Sequence, residues 1–144
     1  MARRELTESD YRALARFRYQ LRKFVSFSES AAREVGLEPR QHQLLLSLRG
    51  LPEGLEPSVL TLADQLVLRH NTVVELIDRL EAAGFVRRTR THDDRRVTHV
   101  AITTQGTEVL RRLSASHLDE LRMQAPALVA ALNGVLRATR GRTP

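Results

Sequence analysis

A change of hydrophobic period at Gly84 constrains this chain more than any other feature. Before it, Val73, Leu76, Ile77 and Leu80 share one face of a helix running roughly from Arg69 to Ala83, which Gly84 can end. After it, Phe85-Val86-Arg87-Arg88-Thr89-Arg90 and Val97-Thr98-His99-Val100-Ala101-Ile102 read as short strands, joined by the polar run Thr91-His92-Asp93-Asp94-Arg95-Arg96. Upstream, Leu62, Ala63 and Leu66 belong to a shorter helix. Ser58 or Thr61 can cap it, Thr61 and Asp64 having capping-box spacing. Residues 58–102 therefore predict a helix-turn-helix followed by a hairpin.

The flanks are helical too. Apolar or small residues at Tyr11, Leu14, Phe17, Leu21, Phe24, Val25, Ser28, Ala31, Ala32 and Val35 alternate steps of three and four, and Gly36 supplies a stop. A helix that long cannot bury its stripe on its own short hairpin, so it needs a partner element or a partner chain. Pro39 suits the first turn of a second helix carrying Leu44, Leu45 and Leu48 inward. Two Gly and two Pro mark residues 50–57 as a loop. Beyond the hairpin, the pattern predicts two closing helices, Thr103 to about Met123 and Pro126 to about Thr139. The expected architecture is mainly α: about six helices plus a two- or three-stranded β-wing.

Composition narrows the chemistry. A length of 144 residues suits one domain, or one domain with an appended oligomerisation element, and 42% hydrophobic with 28% charged residues is globular. Zero cysteine removes disulfides, thiolate nucleophiles, thiol-based oxidant sensing and cysteine-ligated metals. The sequence holds no apolar run of membrane-spanning length, and its opening MARRELTESD lacks the apolar core of a signal peptide. The cytoplasm is the expected compartment, with no membrane partner. His42, His70, His92, His99 and His117 show no metal spacing, no cofactor motif is present, and nothing resembles a paired catalytic constellation. An enzyme is not expected.

The net charge of +6 does not locate a site. Residues 1–23 net +4, residues 24–68 net −3, residues 69–99 net +2 and residues 100–144 net +3. The local signals are sharper. The second helix of a helix-turn-helix can lie in the major groove, and its outward N-terminal positions here are Arg69, His70, Asn71, Thr72, Val74 and Glu75. Asn can bond adenine at two edges, and Glu can accept from the cytosine amino group. Asn71 and Thr72 can equally serve as helix caps, since Thr72 and Glu75 have capping-box spacing. In residues 87–96, Arg87, Arg88, Arg90, Arg95 and Arg96 face only Asp93 and Asp94. Such a hairpin is either a solvated turn or an arginine probe for a narrow minor groove.

The run Leu62-Ala63-x-x-Leu66, Asn71-Thr72-Val73, Leu76-Ile77-Asp78-Arg79-Leu80-Glu81 and Gly84-Phe85-Val86-Arg87-Arg88 resembles the MarR family of bacterial transcription regulators. The resemblance continues through Asp94-Arg95-Arg96 and Ile102-Thr103-x-x-Gly106. It implies a winged-helix homodimer: residues 1–36 as an N-terminal dimerisation helix, 37–102 as the DNA-binding domain and 103–144 as helices completing the dimerisation region. It implies that the helix from Arg69, with Arg79 further along, contacts the major groove. The wing arginines 87, 88, 90, 95 and 96 would contact DNA, Arg96 reaching the minor groove, while Asp94 orients the wing through a salt bridge. His42 is a candidate to line an effector cavity for a small aromatic or anionic compound, or else a structural histidine. Two departures stand out. Arg69 is a poor cap, so the helix can start later, and Glu75 puts an acid on the presumed DNA face, where it either reads cytosine or pairs with Arg79.

These readings predict a sequence-specific DNA-binding regulator on a pseudo-palindromic operator, a repressor released by a small-molecule effector. The rival is a winged helix used for protein–protein association without specific DNA binding.

Overall fold

The computed structural model describes residues 4–90 and 97–140, with side chains through residue 138. Five helices and two strands follow in the order α1 (Glu8–Glu34), α2 (Pro39–Arg49), α3 (Val59–Leu66), α4 (His70–Ala82), β1 (Val86–Arg90), β2 (Thr98–Ile102) and α5 (Thr104–Arg140). The strands pair antiparallel with Val86 opposite Ile102 and Arg90 opposite Thr98. A third strand is reduced to a single antiparallel bridge between Ser58 and His99.

One expectation is corrected. The closing pair of helices is one continuous helix, α5, with Pro126 inside it. An interior proline removes one helical hydrogen bond, here the one Arg122 carbonyl would accept, and usually breaks the helix. It does not do so because the inward face stays in phase across it: Leu113, His117, Gln124, Leu128 and Ala131 are buried or half-buried, whereas Arg122 and Pro126 are exposed, where water can serve the carbonyl. The helix starts decide between alternatives that the sequence leaves open. Ser58, not Thr61, caps α3, its Oγ accepting from the Thr61 N–H at 3.1 Å. Arg69 stands at the N-cap of α4 with no side-chain cap bond, and the helix proper begins at His70.

The chain divides into two compact units, Ser30–Ser114 and one built from the residues through Glu29 and from Ala115. In the first, Leu44, Leu45, Leu62, Val73, Ile77, Leu80, Val86 and Val100 are fully buried, with Val109, Leu110 and Leu113 of α5 joining them. Burying a side chain of this kind contributes about 1.5–3 kcal/mol, so this layer is the main support for the orientation of α4.

One joint sets the hairpin. Gly84 takes φ +84, a left-handed conformation that glycine adopts without strain, and the chain reverses there with the Phe85 N–H donating to Leu80 carbonyl at 2.9 Å. Thr103 then closes the far end: its hydroxyl donates to Gly84 carbonyl at 2.7 Å and accepts from the Gly106 N–H at 3.1 Å. Gly106 packs so closely that a Cβ placed there would lie 2.2 Å from Phe85 carbonyl oxygen. The separate sequence signals Gly84-Phe85 and Thr103-x-x-Gly106 are two halves of this one contact.

In the other unit, Thr7 and Asp10 cap α1 reciprocally: the Thr7 N–H donates to Asp10 Oδ2 at 2.7 Å, and the Asp10 N–H to Thr7 Oγ1 at 3.3 Å. Arg4 adds an ion pair to Asp10. His117 is buried, with Nε2 2.8 Å from Ser28 Oγ and its ring in T-shaped contact with Phe24 and Phe27. Tyr11, Leu14, Tyr19, Val25, Leu118, Met123, Val129, Leu132 and Leu136 stay exposed, Met123 to 78%. Among the described residues, no helix is long and apolar enough to cross a membrane.

Candidate nucleic-acid interface

Helix α4 is amphipathic in the strict sense. Val73, Leu76, Ile77 and Leu80 anchor it to the core, so the opposite face must point to solvent. There, Arg69, His70, Asn71, Glu75, Asp78 and Arg79 are exposed, and Thr72 and Val74 are half-buried. Among the described residues no side chain caps the N-terminus of α4, and neither Asn71 nor Thr72 serves as a cap there. Its first turn carries no acid, leaving the partial positive charge of the uncapped N–H groups unopposed beside Arg69. Such an end favours phosphate.

The second half of α4 is different, because its charges are already satisfied by the protein. Arg88 on β1 bridges back to two carboxylates, with Nη1 donating to Glu81 Oε1 at 2.9 Å and Nη2 pairing with Asp78. The Arg88 backbone N–H also donates to Glu81 Oε2 at 2.7 Å. That backbone bond, reinforced by the guanidinium, holds the Glu81 carboxyl below its ordinary range. Arg88 thus fastens the root of the wing to the back half of α4. Arg79 is also engaged, its Nη1 donating at 3.1 Å to Oε2 of Glu38, the residue at the N-cap of α2. It does not pair with Glu75.

The structure therefore brings Arg69, His70, Asn71, Thr72, Val74, Glu75 and Arg79 onto one helix, with Arg87, Arg88 and Arg90 on the adjoining strand. Arg87 and Arg90 are exposed. Asp94, Arg95 and Arg96 lie outside the described residues. His42 is 2% exposed on α2, the helix whose Leu44 and Leu45 enter the core. The Asp78–Arg88–Glu81 cluster went unread in the sequence. Its signal was present: two acids three apart on the outer face of α4, and a cation just past the helix-ending glycine.

A three-helix core, a helix held outward by it, and a hairpin fastened to that helix define a winged helix-turn-helix protein. Residues 37–98, somewhat under half of the chain, match the model of the MarR family. Among curated relatives, it is similar to the HTH-type transcriptional regulator PecS of Dickeya dadantii, with 32% identity over 88 residues, 60% of this chain and 52% of that protein. It also matches the HTH-type transcriptional regulator SarZ of Staphylococcus saprophyticus at 32% over 94 residues, 65% of this chain and 60% of that one. The matched segment thus spans between half and two thirds of these relatives' lengths. In fold, it resembles AbsC, a MarR family regulator from Streptomyces coelicolor, with TM-score 0.74 at 23% identity, covering 97% of this chain and 100% of AbsC. Sco3205 from the same organism, solved in complex with DNA, aligns with TM-score 0.73 at 23% identity over 99% of this chain and 93% of that one.

Proposed function

We propose that this protein is a sequence-specific DNA-binding transcription regulator acting as a homodimer. The observation that carries the reading is the outer face of α4: exposed Arg69, His70 and Asn71 at an uncapped helix N-terminus, on a helix whose other face is locked in the core. The likeness to a regulator solved with DNA supports it. Major-groove contacts come from residues 69–75 and Arg79, and wing contacts from Arg87 and Arg90, with Arg95 and Arg96 at the tip. Asp94 orients that tip. Arg88 holds the wing root in place rather than meeting DNA as a free cation.

The dimer forms through residues 1–36 and 103–144, flanking the DNA-binding domain 37–102. It is supported by the nine large apolar side chains that α1 and α5 leave exposed. A two-fold dimer places its reading helices about 34 Å apart, one DNA turn, which calls for a pseudo-palindromic operator. The protein represses, and a small aromatic or anionic effector releases it by favouring a dimer geometry that no longer matches that spacing. With no cysteine in the chain, thiol oxidation is excluded as the trigger.

Selection of bound DNA from a random library tests the reading. A shared inverted repeat is the expected result, whereas recovery of unrelated sequences would favour a protein-binding winged helix. Arg96→Ala should then weaken binding to the selected site by about 1–3 kcal/mol, measured by anisotropy at fixed salt.

A further inference from the structure

On the DNA-binding reading above, an acid at position 75 needs a reason. It stands one helical turn beyond Asn71 on the exposed face of α4, where a carboxylate repels phosphate. Two arrangements would make it harmless: an ion pair within the protein, or a hydrogen-bond donor on the DNA. The partner expected within the protein is Arg79, four residues on. Arg79 instead donates both of its recorded bonds to Glu38, at 3.1 and 3.2 Å. The other nearby cation, Arg88, is taken up by Asp78 and Glu81. Glu75 has no ion pair or hydrogen bond with any other described residue.

Every other acidic side chain of α4 is committed to holding the wing, and Glu75 alone is not. We infer that Glu75 is a specificity-determining residue that accepts a hydrogen bond from the N4 amino group of a cytosine in the major groove. Cytosine presents a donor at that edge, whereas thymine presents the O4 acceptor, which a carboxylate repels. The same side chain therefore favours one pyrimidine and rejects the other. It reads the base pair through charge sign, not through shape.

The test is selection from a random DNA library with the full-length chain and with Glu75→Gln and Glu75→Arg, thermal melting serving as the control for folding. Wild type should enrich a cytosine at one symmetric position of each half-site and lose about fivefold or more in affinity when it becomes thymine. Glu75→Gln should move that position toward adenine, and Glu75→Arg toward guanine, with neighbouring positions unchanged. An inverted repeat whose composition is the same for wild type and Glu75→Gln would overturn the cytosine assignment and leave the DNA-binding reading standing. Uniformly tighter binding by Glu75→Gln at unchanged preference would do likewise, exposing the acid as repulsive only. Failure of wild type to enrich any sequence would overturn both.

Discussion

The two compact units draw on the same two long helices and treat their apolar residues differently. Unit Ser30–Ser114 builds one continuous core of buried leucines and valines and closes its joints with glycine and threonine, down to the contact between Gly106 and Phe85. The other unit caps its helix well at Thr7 and Asp10, yet its α1 and α5 segments leave nine large apolar side chains exposed among the described residues. The lesson is a division of labour. One unit holds a closed core of its own, and the other keeps an exposed apolar surface, the one on which the proposed dimer would form.

The largest effect should come from breaking the finished unit. Gly106→Ala drives a methyl group against the backbone of Phe85 and should cost about 3 kcal/mol, read as a lower denaturant midpoint with loss of DNA binding. A variant of unchanged midpoint would mean the joint is slack. Next, Leu132→Glu with Leu136→Glu should leave the helical signal intact and raise the dimer dissociation constant at least about tenfold in sedimentation, a change of about 1.4 kcal/mol. An unchanged dimer would remove these residues from the interface and spoil the contrast between the units.

A smaller effect sits inside the well-packed unit. Val67 ends α3 in the left-handed region at φ 54 while 88% exposed, so its β-branched side chain is strained and packs on little. Val67→Asn should therefore stabilise by about 0.5–1 kcal/mol, seen as a higher melting temperature.

The smallest effect belongs to the Asp10 cap. Bonding to the Thr7 N–H, then to Arg4, lowers the Asp10 carboxyl from 3.8 to about 2. Its folded value lies below the unfolded one, so its contribution is complete above about pH 4 and fades as pH falls toward 2. Asp10→Asn should lower the melting temperature at pH 7, and that gap should narrow by pH 2.

Much of this was legible in the sequence for a physical reason: the buried faces repeat with the period of their element. Val73, Leu76, Ile77 and Leu80 gave α4, and Gly84 gave its end, because only a glycine turns there without strain. What was hidden depended on cross-element or long-run balance. Pro126 reads locally as a helix start, and only the in-phase burial of Leu113, His117, Leu128 and Ala131 reveals a continuous helix. Arg79 looks from spacing like the partner of Glu75, but folding brings Glu38, at the N-cap of α2, within reach. The site residues remained harder to weigh than to find, since spacing shows which side chains point outward but not which are already occupied.

That occupancy carries over to how binding should respond to ions. Each phosphate neutralised on duplex DNA releases condensed counterions, steepening the fall of affinity with salt by about 0.9 per contact on logarithmic axes. Arg79 and Arg88 come to the surface with carboxylates already beside them. They should release few counterions of their own. A tally of arginines on this face therefore overstates the salt sensitivity, and the slope should report chiefly on Arg69, Arg87, Arg90 and the hairpin tip.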